Sequence, residues 1–249
     1  MRIIKPSYEI MTPINGVEIL KFLEKVARTC YKTEGNITED SYIRLITKLV
    51  DRKHEAMLEH FSLTIKFICD RGVSHELVRH RLASFAQEST RYCNYGSKKK
   101  GMTFIQPCWI QDDITGEYDP DKIITKYGGN IGGIAYLPAK AEDYFTDMFN
   151  PAALGWFQQM LDSERLYNSL EEVCEWTPEK SRSILPNSLK TEIIVTADLR
   201  EWMHIIDLRA APTAHPQMRE LILPLLIDLY TRIPILFNKS YAKYCTTKA

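Results

Sequence analysis

His75-Glu-Leu-Val-Arg79-His80-Arg81-Leu-Ala-Ser84-Phe-Ala-Gln87-Glu88-Ser89-Thr-Arg91-Tyr92-Cys-Asn-Tyr95 is the stretch whose reading decides this chain. Arg79, Arg81 and Arg91 supply guanidiniums, whose planar fork matches phosphate and carboxylate oxygens two at a time. Gln87 and Ser89 add an amide and a hydroxyl that both donate and accept hydrogen bonds. Phe85, Tyr92 and Tyr95 add flat apolar surface for a ring to lie against. This set of groups suits a pocket for a phosphorylated, ring-bearing small molecule. Residues 72–83 read as a short helix, and 85–95 as an extended segment after it.

Arginines on a helix ordinarily form solvated ion pairs, and Glu76 precedes His80 by four residues, the spacing of ordinary surface pairing. The tail lifts the stretch out of that reading, because it sets the charges beside a turn into an extended segment. Arg79-His80-Arg81, seven further residues and then Ser89-Thr-Arg91-Tyr92 resembles the signature of flavin-dependent thymidylate synthases. That motif is long and chemically unusual, so the remainder of the chain can be tested against it.

At 249 residues the chain can build one domain with a substantial core, or two small ones. Its 45% apolar and 26% charged residues are ordinary for a globular protein. Lys+Arg and Asp+Glu balance at 32 each, against the basic excess of a dedicated nucleic-acid binder. No run of about 18 apolar residues offers a membrane span. Met-Arg-Ile-Ile-Lys-Pro at the start has no apolar signal core, so the expected location is cytoplasmic. Six scattered cysteines with no Cys-x-x-Cys pair fit reduced thiols and give no zinc framework. His54 and His60 are six apart, not the i, i+4 spacing of two ligands on one helical face, so no metal is expected.

Working outward, Val17, Leu20, Phe22, Leu23, Val26, Ala27 and Cys30 mark an amphipathic helix over 17–31. Its Ala27-Arg28-Thr29-Cys30-Tyr31 resembles the first helix of the family. A second helix is expected over 39–53, with Thr38 as N-cap and Ile43, Ile46, Leu49 and Val50 on one face. Alternation of Phe61, Leu63, Ile65 and Phe67 predicts a strand with one buried face. Thr103 to Ile105 is a short strand, and 138–176 reads as helical, broken at Asn150-Pro151. Lys98, Lys99 and Lys100 read as solvated loop. Residues 96–137, with Gly128-Gly-Asn-Ile-Gly-Gly133, show no periodicity; relative to shorter members of the family they look like an insertion, a flap or an oligomer contact, in an otherwise single domain. No Gly-x-Gly-x-x-Gly follows a strand, so no dinucleotide-binding fold is available. Pro178 suits the first turn of a helix that Pro186 stops. Lys190 to Ala197 is β-rich, and Asp198-Leu-Arg-Glu201 has the form of a capping box that opens the next helix. Arg200 and His204 share a face of that helix, and His215-Pro216 opens an apolar one.

The family landmarks recur in order. His54-Glu-Ala56 resembles the segment that lines the flavin and folate site, with Ala56 where the family often has Ser or Thr, so one hydroxyl contact would be missing. Arg182-x-Ile-Leu-Pro186 resembles the landmark whose arginine reaches the nucleotide of a neighbouring subunit. Residues 196–209 resemble the third, in which Asn-x-Arg and a polar residue four further on hold the flavin and a late arginine meets the uracil ring. Here the Asn position is Asp198, a carboxylate that cannot donate as an amide does, and which reads equally well as a plain helix cap.

The resemblance implies an α/β (α+β) fold, a twisted, mostly antiparallel sheet flanked by helices, in a homotetramer. It implies reductive methylation of dUMP to dTMP in nucleotide biosynthesis, with FAD as hydride carrier and with methylenetetrahydrofolate and NADPH as co-substrates. It assigns Glu76, Arg79, Gln87, Glu88, Ser89, Arg91, Arg182 and Arg209 to dUMP, and His54, Ala56, Arg79, His80, Arg81, Gln87, Asp198, Arg200 and His204 to FAD. Arg209 is the first catalytic candidate, a guanidinium that stabilises charge developing on the uracil. Ser89 is the second, although no His–carboxylate pair is visible to activate it as a nucleophile. Two other readings stay open here: a non-catalytic nucleotide- or flavin-binding protein on the same fold, and an RNA-binding module built on arginines and aromatics.

Overall fold

The computed structural model describes residues 1–96, 101–111, 113–118 and 151–246. The lysine run, the glycine-rich 128–133 and the part of the expected helix before 151 lie outside the described residues. The chain opens with strands β1 (Arg2–Ile4) and β2 (Ser7–Ile10) and helices α1 (Gly16–Thr29) and α2 (Ser41–Asp51). A 3-10 turn at Ala56–His60 leads into β3 (Ser62–Asp70), α3 (Arg71–Leu77) and β4 (Ala83–Gln87). After β5 (Thr103–Ile105) and β6 (Gly116–Glu117) come α4 (Pro151–Glu172), α5 (Pro178–Ser181) and β7 (Lys190–Asp198). Helices α6 (Leu199–Arg209), α7 (Pro216–Arg232) and α8 (Pro234–Tyr244) close the described chain.

The contacts divide the chain into two compact units. Unit 1 is Met1–Pro6, Cys69–Ser74 and Gln87–Glu192; unit 2 is Ser7–Ile68, His75–Ala86 and Ile193–Ala249. In unit 1, β1 pairs parallel with β5 and antiparallel with β6, so part of the stretch read as an insertion is woven into a small sheet. Its core gathers Ile3, Met102, Phe104, Phe157, Leu161 and Tyr167.

The second sheet has the order β2-β3-β7-β4, with β2 antiparallel to β3 from Ser7↔Ile68 to Ile10↔Ile65. The alternation read at Leu63, Ile65 and Phe67 is observed on β3, where all three are buried, and the β-rich segment forms β7, with Ile193, Val195 and Ala197 buried. In unit 2 the buried face meets Trp202 of α6, which is fully enclosed and donates its indole N–H to the Leu63 carbonyl at 3.0 Å. Enclosing one such side chain is worth roughly 1.5–3 kcal/mol. Helix α2 packs on α1 and α8, and α6 on α7 and α8.

Several local expectations shift. On α1 the buried residues are Ile19, Leu20, Leu23, Glu24 and Ala27, while Val17, Phe22 and Cys30 face outward. The buried stripe is Ile19, Leu20, Leu23 and Ala27, and Glu24, enclosed beside it, has its own partners: Arg28 at 2.9 Å and the Ser41 hydroxyl at 2.7 Å. Helix α2 starts at Ser41 after Asp40, not at Thr38, whose hydroxyl donates to Asp40 instead, and Ile43 is exposed. The signature helix stops at Leu77, well short of residue 83, and the strand after it is Ala83–Gln87, with turns rather than extended chain beyond. The cause is tertiary. The Glu76 carbonyl receives a guanidinium N–H of Arg209 at 2.8 Å, and the backbone N–H of His80 turns back to Leu77 at 3.1 Å.

Candidate functional site

The best-held of the expected site residues is Arg209, in the last turn of α6. Asp198 starts that helix as its N-cap, its Oδ1 accepting the Glu201 backbone N–H at 2.8 Å, so the capping half of the Asp-x-x-Glu reading is observed. Eleven residues of helix then set Arg209 against the end of the signature helix. Its Nη1 donates to Glu76 Oε2 at 2.6 Å, Nη2 to the Glu76 carbonyl at 2.8 Å and Nε to His80 Nε2 at 3.0 Å. The guanidinium is thus fixed on three sides within unit 2, and the Glu76 carboxylate is engaged by Arg209.

His80 is enclosed, its edge meets the ring of His204 with centroids 5.9 Å apart, and its Nδ1 lies 3.5 Å from Glu201 Oε1. Burial first, then the charges of Arg209 and His204, push its pKa down to about 4, so the imidazole is neutral at physiological pH. Burial likewise raises the Glu201 carboxyl, against an opposing pull from His204.

On the same unit, Lys53, Glu55, Glu59, Leu82, Asp198, Arg200, Glu201, Met203, His204, Asp207, Lys239 and Ser240 line an open groove of about 900 Å³. Three residues expected at a flavin, Asp198, Arg200 and His204, therefore share one concavity. Arg200 ion-pairs with Glu59 and, at 3.7 Å, with Glu55. Arg79 and Arg81 are exposed, and among the described residues their side chains have no hydrogen bond or ion pair. His54 and Ala56 are exposed beside the Ala56–His60 turn.

The remaining expected residues lie in unit 1. The Gln87 amide donates to Ser74 Oγ at 2.8 Å and Thr191 Oγ1 at 3.2 Å, which spends its NH2 and leaves its carbonyl oxygen as acceptor. Glu88 is tied at both oxygens, to the Tyr95 hydroxyl at 2.8 Å and Lys190 Nζ at 3.0 Å. Burial and the Glu88 charge push the Tyr95 phenol well above its ordinary range. Ser89 Oγ accepts from the Arg91 backbone N–H at 3.3 Å, and among the described residues no base is hydrogen-bonded to it. Arg91 pairs loosely with Glu179 at 3.7 Å, and Arg182 donates to Thr90 Oγ1 at 3.4 Å.

His80, Glu201 and His204 offer ligand atoms within 4.8 Å of one another, a donor set that a divalent cation would accept. The set is already committed. His80 Nε2 accepts from Arg209, and a neutral imidazole that presents a lone pair on one nitrogen carries its proton on the other. Binding a metal through Nδ1 would require an imidazolate or the loss of the arginine contact, next to a fixed guanidinium charge.

A family model described as thymidylate synthase complementing protein matches residues 18–235. The chain belongs to this family. Its curated relatives carry the name flavin-dependent thymidylate synthase, so it is an enzyme of the flavin-dependent thymidylate synthase family. The protein of that name from Thermococcus kodakarensis is 30% identical over 199 residues, covering 80% of this chain and 66% of the relative, just under two thirds of its length. The one from Corynebacterium efficiens is 27% identical over 248 residues, covering 91% and 81%. Among solved structures, the UMP/dUMP methylase PolB of Streptomyces cacaoi aligns with TM-score 0.66 at 18% identity, over 98% of this chain and 97% of that one. Thymidylate synthase X of Helicobacter pylori, solved with FAD and dUMP, aligns with TM-score 0.62 at 18% identity, over 94% and 98%. These alignments fix the flavin-dependent thymidylate synthase-like fold, mixed α/β with antiparallel pairing and flanking helices. Among the described residues, no helix is long and apolar enough to cross a membrane.

Sequence reading of this family member missed Glu201 as a neighbour of His80, and Glu55 and Glu59 as the partners of Arg200. Glu201 carried a local signal, the third position after an N-cap, but that signal points its carboxylate back at the cap and not across to a residue 121 positions earlier in the chain.

Proposed function

We propose that this chain methylates dUMP to dTMP reductively, as one catalytic domain, with the carbon from methylenetetrahydrofolate, FAD as the bound redox cofactor and NADPH as reductant. Membership of the family and the shared name of its relatives support the reaction, and the guanidinium of Arg209, clamped at three points, is the observation that carries it.

The residues present suit a flavin dinucleotide. A groove of about 900 Å³ has the size of such a ligand, Arg200 and His204 line it, and Arg79 and Arg81 are guanidiniums without described partners, the groups a diphosphate attracts. Arg79, Arg81, Arg200, His204 and the His54–Ala56 turn would hold it, with His80 acting behind them by fixing Arg209, and the resemblance also assigns Gln87 to it; bound there, the flavin supplies the redox chemistry. Asp198 serves as the cap of α6, and its side chain offers the flavin no N–H.

In this reading Arg209 supplies the fixed positive charge that stabilises negative charge developing at the uracil edge. Because Glu76 and His80 already hold it, it needs no reorganisation when that charge appears. Glu76 serves the nucleotide through Arg209. Gln87, Ser89, Arg91 and Arg182 keep the nucleotide contacts that the resemblance assigns, Glu88 supports them through Lys190, and Ser89 acts as a hydrogen-bonding hydroxyl. The homotetramer belongs to the same reading, with Arg182 serving a neighbouring subunit.

The test is the visible absorption spectrum of purified protein, with NADPH oxidation and dTMP formation followed with and without dUMP. Flavin bands bleached by NADPH and restored on turnover are expected, and Arg209→Ala with its flavin retained should lose turnover. A colourless protein that takes up no FAD, or Arg209→Ala turning over near the parent rate, would reject the assignment.

A further inference from the structure

The arrangement around His80 asks why an enclosed, neutral imidazole presents its lone pair to a guanidinium. Arg209 Nε always carries hydrogen, so the 3.0 Å contact with His80 Nε2 requires that nitrogen to be bare. The proton of the neutral ring then resides on Nδ1. That N–H points into a buried site, where a donor without an acceptor costs about 1–3 kcal/mol. The carboxylate facing it is Glu201, itself buried, with Oε1 3.5 Å away. The other charged or titratable groups facing the ring are Arg209 and His204, and Glu76 faces Arg209 from the far side.

We propose that Glu201 is a positioning residue: it holds His80 in the Nδ1–H tautomer, and His80 in turn locks the Nε edge of the Arg209 guanidinium. The chain of contacts runs carboxylate, imidazole, guanidinium, each group fixing the orientation of the next. Helix α6 supplies both ends, Glu201 two turns before Arg209, so one rigid element sets the separation of the acceptor and the arginine it serves. With the tautomer reversed, Nε2–H would face Nε–H, two donors head to head, and the guanidinium would swing out of its three-point clamp. Placing Arg209 at the uracil rests on the proposed function; the tautomer and its dependence on Glu201 do not.

The test uses the full chain labelled with 15N histidine, with the ring nitrogens of His80 assigned by comparison with His80→Asn. In the parent, His80 should show a protonated Nδ1 and a bare Nε2 at neutral pH. Glu201→Met, which keeps the volume and removes the acceptor, should shift His80 toward the Nε2–H form or a mixture. Glu201→Gln retains a carbonyl acceptor and should leave the parent pattern. In turnover, Glu201→Met should lower kcat about tenfold or more, with flavin content and the KM for dUMP changed far less, and Glu201→Gln should recover most of it. A parent spectrum with the proton on Nε2 overturns the proposal without any variant, whether or not Glu201→Met folds. An unchanged tautomer in Glu201→Met also overturns it. Absence of thymidylate formation in the parent would refute the proposed function and leave the tautomer result standing.

Discussion

Replacing Arg209 by lysine separates charge from geometry. The parent side chain is only 15% exposed and makes three hydrogen bonds, at 2.6, 2.8 and 3.0 Å. A lysine ammonium at the end of a flexible stem can keep the Glu76 carboxylate, but it cannot also span the Glu76 carbonyl and His80 Nε2. Two contacts are lost and a buried imidazole acceptor is left without a donor. At about 1–2 kcal/mol for each, Arg209→Lys should lower the unfolding free energy by about 2–4 kcal/mol. The charge remains near the ring, so His80 should still titrate near 4, as its burial and a nearby cation dictate. Arg209→Met removes the cation as well, and there the His80 pKa should move back up toward its ordinary value. Urea unfolding at pH 7 measures the first quantity and a 15N titration of His80 the second. An Arg209→Lys protein within about 0.5 kcal/mol of the parent would mean that the three-point clamp contributes nothing to stability.

The His80 pKa, lowered from 6.5 to about 4 by burial and by Arg209, makes a stability contribution that is fully present above pH 6.5 and is lost as pH falls toward 4. The full span is worth roughly 3 kcal/mol, reduced by Glu201, whose raised pKa works in the opposite direction, so the urea midpoint should fall through that window in the parent and less in His80→Leu. A Cβ on Gly16 would sit 2.0 Å from the Arg232 carbonyl oxygen, a backbone atom, so Gly16→Ala should depress the melting temperature by many degrees; a shift below about 2 °C would contradict the packing of α1 against the end of α7. Asp198→Asn keeps a good N-cap while adding an amide donor, so stability should change by less than about 0.5 kcal/mol while FAD binds more tightly in a fluorescence titration; weaker FAD binding would argue that the carboxylate itself serves the cofactor.

How much was legible beforehand can be judged from particular residues. Strand β3 was readable because a period of two is a local pattern that burial of one face enforces, and β7 because its segment is rich in strand-forming residues. The start of α6 was readable because Asp198 needs only its own neighbour three residues on. The rotation of α1 was not, since burial of Glu24 is tolerated only with Arg28 and the distant Ser41 as its partners. The early end of α3 was not, since the carbonyl involved is taken by an arginine more than a hundred residues later. The final helix and the strands β1, β2 and β6 also escaped, because two to four residues are too few to show a period and α8 carries a weakly amphipathic pattern.

From the amino-acid order alone came the family, the mixed α/β class and the list of guanidiniums that a nucleotide site would use, because motif spacing and alternation are properties of neighbouring residues. Which of those guanidiniums is held and which stands free was decided only in three dimensions. Arg209 is clamped while, among the described residues, the Arg79 and Arg81 side chains have no partner, since the groups that immobilise a side chain arrive from elements far apart in the chain. The same holds for Glu201: its place in the chain marks a helix start, and folding turns it toward a histidine on another element.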